Sequence, residues 1–140
     1  MSKLAFIFPG QGAQKAGMGK DFYENSEAAR SFFDQAQKIL DFDLKEMCFG
    51  EHEELNLTEY TQPCMVSVCL AIVQELKKRG INPDITAGLS LGEYGALAAA
   101  GVMELPDLFR IIRMRGIYMQ EAYPEGGAMA AVLGLDGDIV

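Results

Sequence analysis

The sequence predicts an α/β fold in which a parallel sheet is covered by helices. Residues 3–8 are a nearly continuous apolar run closed by Pro9-Gly10, which reads as a fully buried strand of a parallel sheet. Residues 85–87 read as a second short strand, and the longer segments between and after the two carry apolar residues at helical spacing. Where the second strand ends, Gly88-Leu89-Ser90-Leu91-Gly92 sets a serine between two glycines and leads into a run of small, helix-forming residues. That strand–turn–helix setting is what gives the G-x-S-x-G pattern its meaning.

Taken in order, the first strand is followed by Pro9-Gly10-Gln11-Gly12-Ala13-Gln14 and then Gly17-Met18-Gly19. Neither G-K-S/T nor the dinucleotide glycine spacing is present, so a phosphate loop is excluded. The segment is either a plain glycine-rich turn or a loop whose backbone N–H groups face an oxyanion, as in hydrolase-type folds. Within residues 21–40, Phe22, Ala29, Phe32, Phe33, Ala36, Ile39 and Leu40 recur at helical spacing, giving one or two amphipathic helices over the sheet. Residues 43–48 allow a further helical turn. Residues 51–54 form an exposed acidic loop with the single histidine, His52, which reads as a solvated loop residue rather than a base.

Thr61-Gln62-Pro63 opens the next helix, because proline is favoured in a first turn, and Gly80 closes it after Lys77-Lys78-Arg79. Apolar residues from Met65 to Leu76 cover most of its circumference, which predicts a buried helix. Asn82-Pro83-Asp84 turns the chain into the second strand, and the small-residue helix after Ser90 ends at Gly101. A last long helix spans about residues 105–122. At about 100° per residue, Leu108, Ile111, Ile112, Tyr118, Met119 and Ala122 share one face, while Arg110 and Arg113 point the other way. Arg115 falls in the middle of the apolar face. An unpaired guanidinium there is prohibitively costly, so its partner is either a carboxylate of the fold or one that arrives with a substrate. Gly126-Gly127 then leads into a strand-like run at 128–133 and a turn at Asp136-Gly137.

Composition sets the limits. With 140 residues, 49% hydrophobic and 23% charged, the chain holds one modest core. Twelve basic against 20 acidic residues leave a net charge of −8, which disfavours a general nucleic-acid or anionic-membrane binder. The apolar start at 4–8 is too short for a signal peptide and no run reaches membrane-spanning length, so a cytosolic protein is expected. Cys48, Cys64 and Cys69 lack C-x-x-C spacing and have only His52 beside them in composition, so reduced thiols rather than a zinc site are expected. No metal and no cofactor is implied.

The chemistry centres on Ser90. A turn this sharp strains the serine backbone and leaves no room for a Cβ two positions away, hence Gly88 and Gly92. The hydroxyl stands at a helix N-terminus, where the free N–H of Leu91 and the helix dipole stabilise an oxyanion.

Four motifs in order resemble the malonyl-CoA:acyl-carrier-protein transacylases of fatty-acid synthesis and, more broadly, the acyltransferase domains of fatty-acid and polyketide synthases. They are Phe8-Pro9-Gly10-Gln11-Gly12-Ala13-Gln14, Thr61-Gln62-Pro63, Gly88-Leu89-Ser90-Leu91-Gly92-Glu93-Tyr94 and Met114-Arg115-Gly116. The resemblance implies a ping-pong transfer in which Ser90 takes the malonyl group from malonyl-CoA and passes it to the phosphopantetheine thiol of acyl carrier protein. It assigns oxyanion-hole N–H groups to Gln11 and Leu91, the malonyl carboxylate to Arg115 and a pocket-lining role to Gln62. Coenzyme A enters as a thioester substrate, not as a cofactor.

The fold it implies is an α/β-hydrolase-like core, here residues 1–126, with a small ferredoxin-like subdomain whose first strand lies in 127–140. Two positions depart from the family. Leu89 stands where the family often has histidine, and the family's general-base histidine lies downstream of these residues, with His52 not matching it. The chain therefore resembles the N-terminal part of such an enzyme, expected to be nearly inactive alone. A serine hydrolase with the same elbow, or a non-catalytic fragment, are the competing expectations.

Overall fold

The computed structural model describes residues 3–126 and 132–139. Strand β1 (Ala5–Phe8) is followed by helices α1 (Lys20–Asn25), α2 (Glu27–Gln37), α3 (Leu44–Phe49) and α4 (Thr58–Lys78), then β2 (Ile85–Gly88), α5 (Leu91–Ala99) and α6 (Leu105–Ala122). Single 3-10 turns occur at Glu53–Asn56 and Gly137–Ile139. β1 and β2 pair in parallel, Ala5 opposite Ile85 and Phe8 opposite Gly88. A parallel pair needs a crossover, and α1 to α4 provide it. Asp84 pins the entry to the pair: its Oδ2 accepts from Leu4 N–H at 2.8 Å and its own N–H donates to the Leu4 carbonyl at 2.8 Å.

The expectation of a strand buried on both faces is corrected. Phe8 is buried, but Ile7 is 71% exposed and Ile85 is 54% exposed. Successive strand residues face opposite ways, and among the described residues the helices cover only one of the two faces. The strand-like run expected at 128–133 falls mostly on 127–131, which lie outside the described residues.

Helix α4 is the centre of the molecule, packing against α2, α5 and α6. Its buried residues run from Thr61 to Val73, in line with its apolar circumference. Arg79 caps it, Gly80 takes φ 77° and Ile81 N–H reaches the Leu76 carbonyl at 2.9 Å, a glycine-terminated helix end of the kind the sequence suggests. The start differs: α4 begins at Thr58, one turn before the expected Thr61. Pro63 thus sits inside the helix and removes the N–H that would bond the Glu59 carbonyl. Arg113 Nη1 of α6 donates to that carbonyl instead, at 2.9 Å.

Two helices, not one, occupy residues 20–37. The break is at Ser26, whose Oγ accepts from Ala29 N–H at 3.1 Å as the cap of α2 and donates to a Glu75 carboxylate oxygen of α4. Ser26 is buried, so Ser26→Ala loses the cap and leaves Glu75 short of a donor. A loss of about 1–2 kcal/mol is expected, read as a lowered urea midpoint at unchanged slope. Asp43 caps α3 in the same manner, accepting from Glu46 N–H at 2.9 Å.

The core joins Phe32, Phe33, Leu44, Leu70, Leu91, Leu108, Phe109 and Ile112. On α6 the buried residues are Leu108, Phe109, Ile112 and Gly116, a face rotated from the expected one. Ile111, Tyr118 and Met119 are exposed and, with Met114, Arg115 and Ala122, line a surface groove. Gly116 explains the rotation: a Cβ there would lie 2.9 Å from Glu59 Cα and 3.0 Å from the Thr58 carbonyl oxygen. The helices approach most closely where a side chain is missing, and hydrophobic periodicity does not register that.

Cys48 and Cys64 are buried, Cys69 is half-buried, and all three are free thiols. Contact with Cys48 and burial push the Cys64 thiol up, and burial pushes Cys69 up to about 11. Thiols so perturbed are poor nucleophiles at neutral pH.

Candidate active site

β2 runs into the elbow without losing its partner, since Leu89 N–H donates to the Phe8 carbonyl at 3.1 Å. Ser90 then turns the chain with φ 53° and ψ −108°, the one non-glycine residue at positive φ among the described residues. Such a conformation costs of order 1–3 kcal/mol and persists only where the surroundings enforce it. The surroundings here are backbone. A Cβ at Gly88 would fall 2.1 Å from the carbonyl of Gly92, and one at Gly92 would fall 2.4 Å from the Phe8 carbonyl oxygen. Gly95, one turn on, lies against the Phe8 ring, where a Cβ would sit 2.8 Å from Cδ1. Helix α5 therefore begins immediately after Ser90 and lies hard against β1. Ser90 is exposed, and the N–H of Leu91, first residue of α5, has no intrahelical acceptor.

Three of the expected site residues meet through their side chains. Arg115 Nη2 donates to Ser90 Oγ at 2.8 Å and Nη1 donates to Gln62 Oε1 at 2.6 Å. Gln62 is buried, and its Nε2 faces Met119 Sδ at 3.3 Å. The guanidinium lies over the Tyr94 ring, 5.5 Å from its centroid. Arg115 forms no ion pair among the described residues, whereas Arg79, Arg110 and Arg113 each do. Of the two partners open to it from the sequence, a carboxylate of the fold is not the one found here. Its charge is met by a neutral amide, a hydroxyl and an aromatic face, an arrangement suited to receiving an anion.

Gln11 lies in the turn that follows β1, the strand that runs beside the elbow. Gly10 packs on Leu89, with a virtual Cβ 3.2 Å from the Leu89 carbonyl oxygen. The Gln11 side chain is tied to α4, Nε2 donating to Thr58 Oγ1 at 3.1 Å, and Gln14 Nε2 reaches Asn56 Oδ1 at 3.2 Å. Thr58 N–H in turn donates to Gln120 Oε1 of α6 at 2.9 Å. The first turn of α4 thus joins the Gln11 loop to α6.

His52 is not part of this group; its Nε2 pairs with Glu46 Oε1 at 2.9 Å. Arg113, expected on an outward face with Arg110, is mostly buried and held by Asp41 and Glu59. Hydrogen bonding from Arg113 holds the Asp41 carboxyl below its ordinary range. Sequence reasoning assigned no role to Tyr94, Met119 or Thr58. The first two stand four residues after Ser90 and Arg115, a spacing that places them on the same helix faces; Thr58 carries no comparable signal.

The model of the acyl transferase domain matches residues 5–136 of the chain. The chain belongs to the acyl transferase domain family. It is 49% identical over 140 residues to the malonyl CoA-acyl carrier protein transacylase of Bacillus subtilis (strain 168), a match covering 99% of this chain and 44% of that protein. Acyl transferase domain architecture is also what the solved structures share with it. The malonyl CoA-acyl carrier protein transacylase of Clostridium perfringens superposes with a TM-score of 0.82 at 43% identity, over 86% of this chain and 39% of that one. A malonyl-transacylase in complex with its type II polyketide synthase acyl-carrier protein gives 0.83 at 40% identity, over 89% of this chain and 41% of that one. The chain thus spans about half the length, or somewhat less, of the relatives it matches.

Proposed function

We propose that this acyl transferase domain chain carries the nucleophile and the carboxylate anchor of a malonyl-CoA:acyl-carrier-protein transacylase. The observation that carries the proposal is the contact of Arg115 Nη2 with Ser90 Oγ at 2.8 Å, because it puts a cation without a carboxylate beside a strained serine. In the first half-reaction Ser90 Oγ attacks the thioester carbonyl of malonyl-CoA, the C–S bond breaks, and coenzyme A leaves as its thiol. In the second, the phosphopantetheine thiol of acyl carrier protein attacks the malonyl-serine ester and releases Ser90.

The backbone N–H groups of Gln11 and Leu91 would receive the negative oxygen of each tetrahedral intermediate. Arg115 would exchange the Ser90 hydroxyl for the free malonyl carboxylate, gripping it with both Nη groups. Gln62, buried and fixed at both ends of its amide, would hold Arg115 in place. The relatives named malonyl CoA-acyl carrier protein transacylase support the substrate, and the complex of a related transacylase with its acyl-carrier protein supports the partner.

The same proposal covers the architecture: residues 1–126 as part of an α/β-hydrolase-like core, 127–140 as the start of a ferredoxin-like subdomain, in a cytosolic protein. Among the described residues no helix is long and apolar enough to cross a membrane. A general base for Ser90 is expected from a histidine beyond these residues, since His52 is engaged by Glu46. A positioned base contributes typically ~10²–10⁴-fold, so acylation by this chain alone is slow.

Arg115→Ala tests the anchor. Hydrogen bonds to a charged group contribute about 1.5–3 kcal/mol, so the preference for malonyl over acetyl thioesters should fall roughly 10- to 100-fold, measured as the ratio of the two acyl adducts formed in competition. An unchanged ratio would instead favour a serine hydrolase that uses the same elbow with water as acceptor.

A further inference from the structure

We infer that Arg113, which the proposed chemistry does not use, is a positioning residue that sets where Arg115 stands. The inference rests on the functional proposal for what Arg115 does, but not for how Arg115 is held. Every part of the Arg113 guanidinium is engaged. Nη1 donates to the Glu59 carbonyl at 2.9 Å and to Glu59 Oε2 at 3.0 Å, while Nε and Nη2 donate to Asp41 Oδ1 and Oδ2 at 2.7 and 3.3 Å. The group also lies 5.3 Å from the Phe42 ring centroid and 5.1 Å from that of Tyr60. Its side chain is 14% exposed.

The carbonyl contact exists because of the sequence of α4. Pro63 has no N–H for the Glu59 carbonyl four residues back, and a buried carbonyl without a donor is costly. Arg113 supplies the donor from another helix. That makes an internal defect of α4 into a fixed point of the α4–α6 contact. The second fixed point is the Gln62–Arg115 bond at 2.6 Å.

Glu59 and Gln62 are three residues apart and so share a face of α4. On α6, at about 100° per residue, Arg113 and Arg115 lie on opposite flanks of the buried ridge formed by Ile112 and Gly116. The two arginines therefore grip α4 from both sides of the line where Gly116 meets Glu59. Rotation or sliding of α6 would move Arg115 off both Gln62 and Ser90; on the far flank the Arg113 grip opposes it, two turns before the Thr58–Gln120 bond at 2.9 Å. A displacement near 1 Å is enough to matter to a reacting geometry. Lysine at 113 would keep the charge but lose the planar fork that reaches Glu59 and Asp41 together.

The test reads Arg115 directly, without relying on turnover. In the full chain, the rate of phenylglyoxal labelling at Arg115 is followed by peptide mass in the wild type, Arg113→Lys, Pro63→Ala and the double variant, with Arg30 and Arg79 as internal references. Arg113→Lys is expected to raise labelling at Arg115 about fivefold or more while the references stay constant. Pro63→Ala returns an N–H to the Glu59 carbonyl, so Arg113→Lys should have a smaller effect in that background. Labelling at Arg115 that does not change, that rises equally in both backgrounds, or that rises together with the references overturns the inference. Should Arg113→Lys fail to fold, Asp41→Asn, at an exposed carboxylate, must raise Arg115 labelling in the same direction, and no rise overturns it equally. Failure of the functional proposal would appear separately, as absence of a malonyl adduct on wild-type Ser90 with the labelling pattern intact.

Discussion

Ser90→Ala is expected to remove the acyl adduct altogether. Protein incubated with malonyl-CoA long enough to offset the missing general base and then quenched in acid should carry a malonyl group on the peptide containing residue 90, and the variant should carry none at any incubation time. Removing a serine nucleophile costs about 10⁶ in kcat only where the serine acts with a base, so for this chain the deciding readout is the presence or absence of the adduct and not a rate ratio. Alanine takes up the same space and meets the same backbone strain at φ 53°, losing only the hydroxyl that Arg115 touches. Its melting temperature should therefore stay close to that of the wild type. An adduct that survives the substitution would move the nucleophile elsewhere and sink the proposed mechanism.

Gly88→Ala is expected to act on the fold rather than on the chemistry, and to be nearly as damaging. The added methyl would meet the Gly92 carbonyl carbon and oxygen at 2.1 Å, closer than any non-bonded approach, and the neighbour is backbone at the first turn of α5. Nothing flexible can yield. The elbow must open, separating β2 from α5 and drawing Leu89 away from the Phe8 carbonyl. A loss of about 4 kcal/mol or more is expected, a large share of the ~5–15 kcal/mol that a domain holds. Gly101→Ala is the contrast: φ is 74° there, but an added Cβ meets nothing within 4 Å, so only the left-handed backbone is penalised, by about 1–2 kcal/mol. Thermal melts of the two variants side by side measure the difference. Equal melting temperatures would show that the elbow is looser than its contacts indicate.

The elbow was legible in the sequence because its requirements are local. A serine flanked two residues away by glycines, between a short apolar run and a small-residue helix, names both the strain and the space it needs. Arg115 was legible as a problem, a charge on an apolar face, and the structure answers with Gln62 and Ser90. What escaped is long-range. The start of α4 was misplaced because Pro63 is a good first-turn residue, and only Arg113, fifty residues on, lets it stand deeper in the helix. The buried face of α6 was misplaced because its closest approach is made by Gly116, which has no side chain to count. Arg113 itself was placed on the outward face with Arg110, since its partners Asp41 and Glu59 come from two different segments that periodicity does not connect. Ile7 fits a buried strand by composition and is exposed because burial depends on what covers a face, which a strand does not encode.

The contacts that assemble the site also order its formation. β1 and β2 meet across the whole α1–α4 crossover, with Leu4 bound to Asp84 80 positions away, and Arg115 reaches Gln62 across 53 positions and Ser90 across 25. Contacts of such separation close large loops and form late, after local helices have collapsed. The strained conformation of Ser90 is enforced by glycine contacts that exist only once β1 lies beside β2 and α5. A partly folded chain therefore presents helices but no elbow, and its serine is an ordinary one. The strained turn at position 90 is therefore expected to form late in folding and to be lost early when the β1–β2 pair opens.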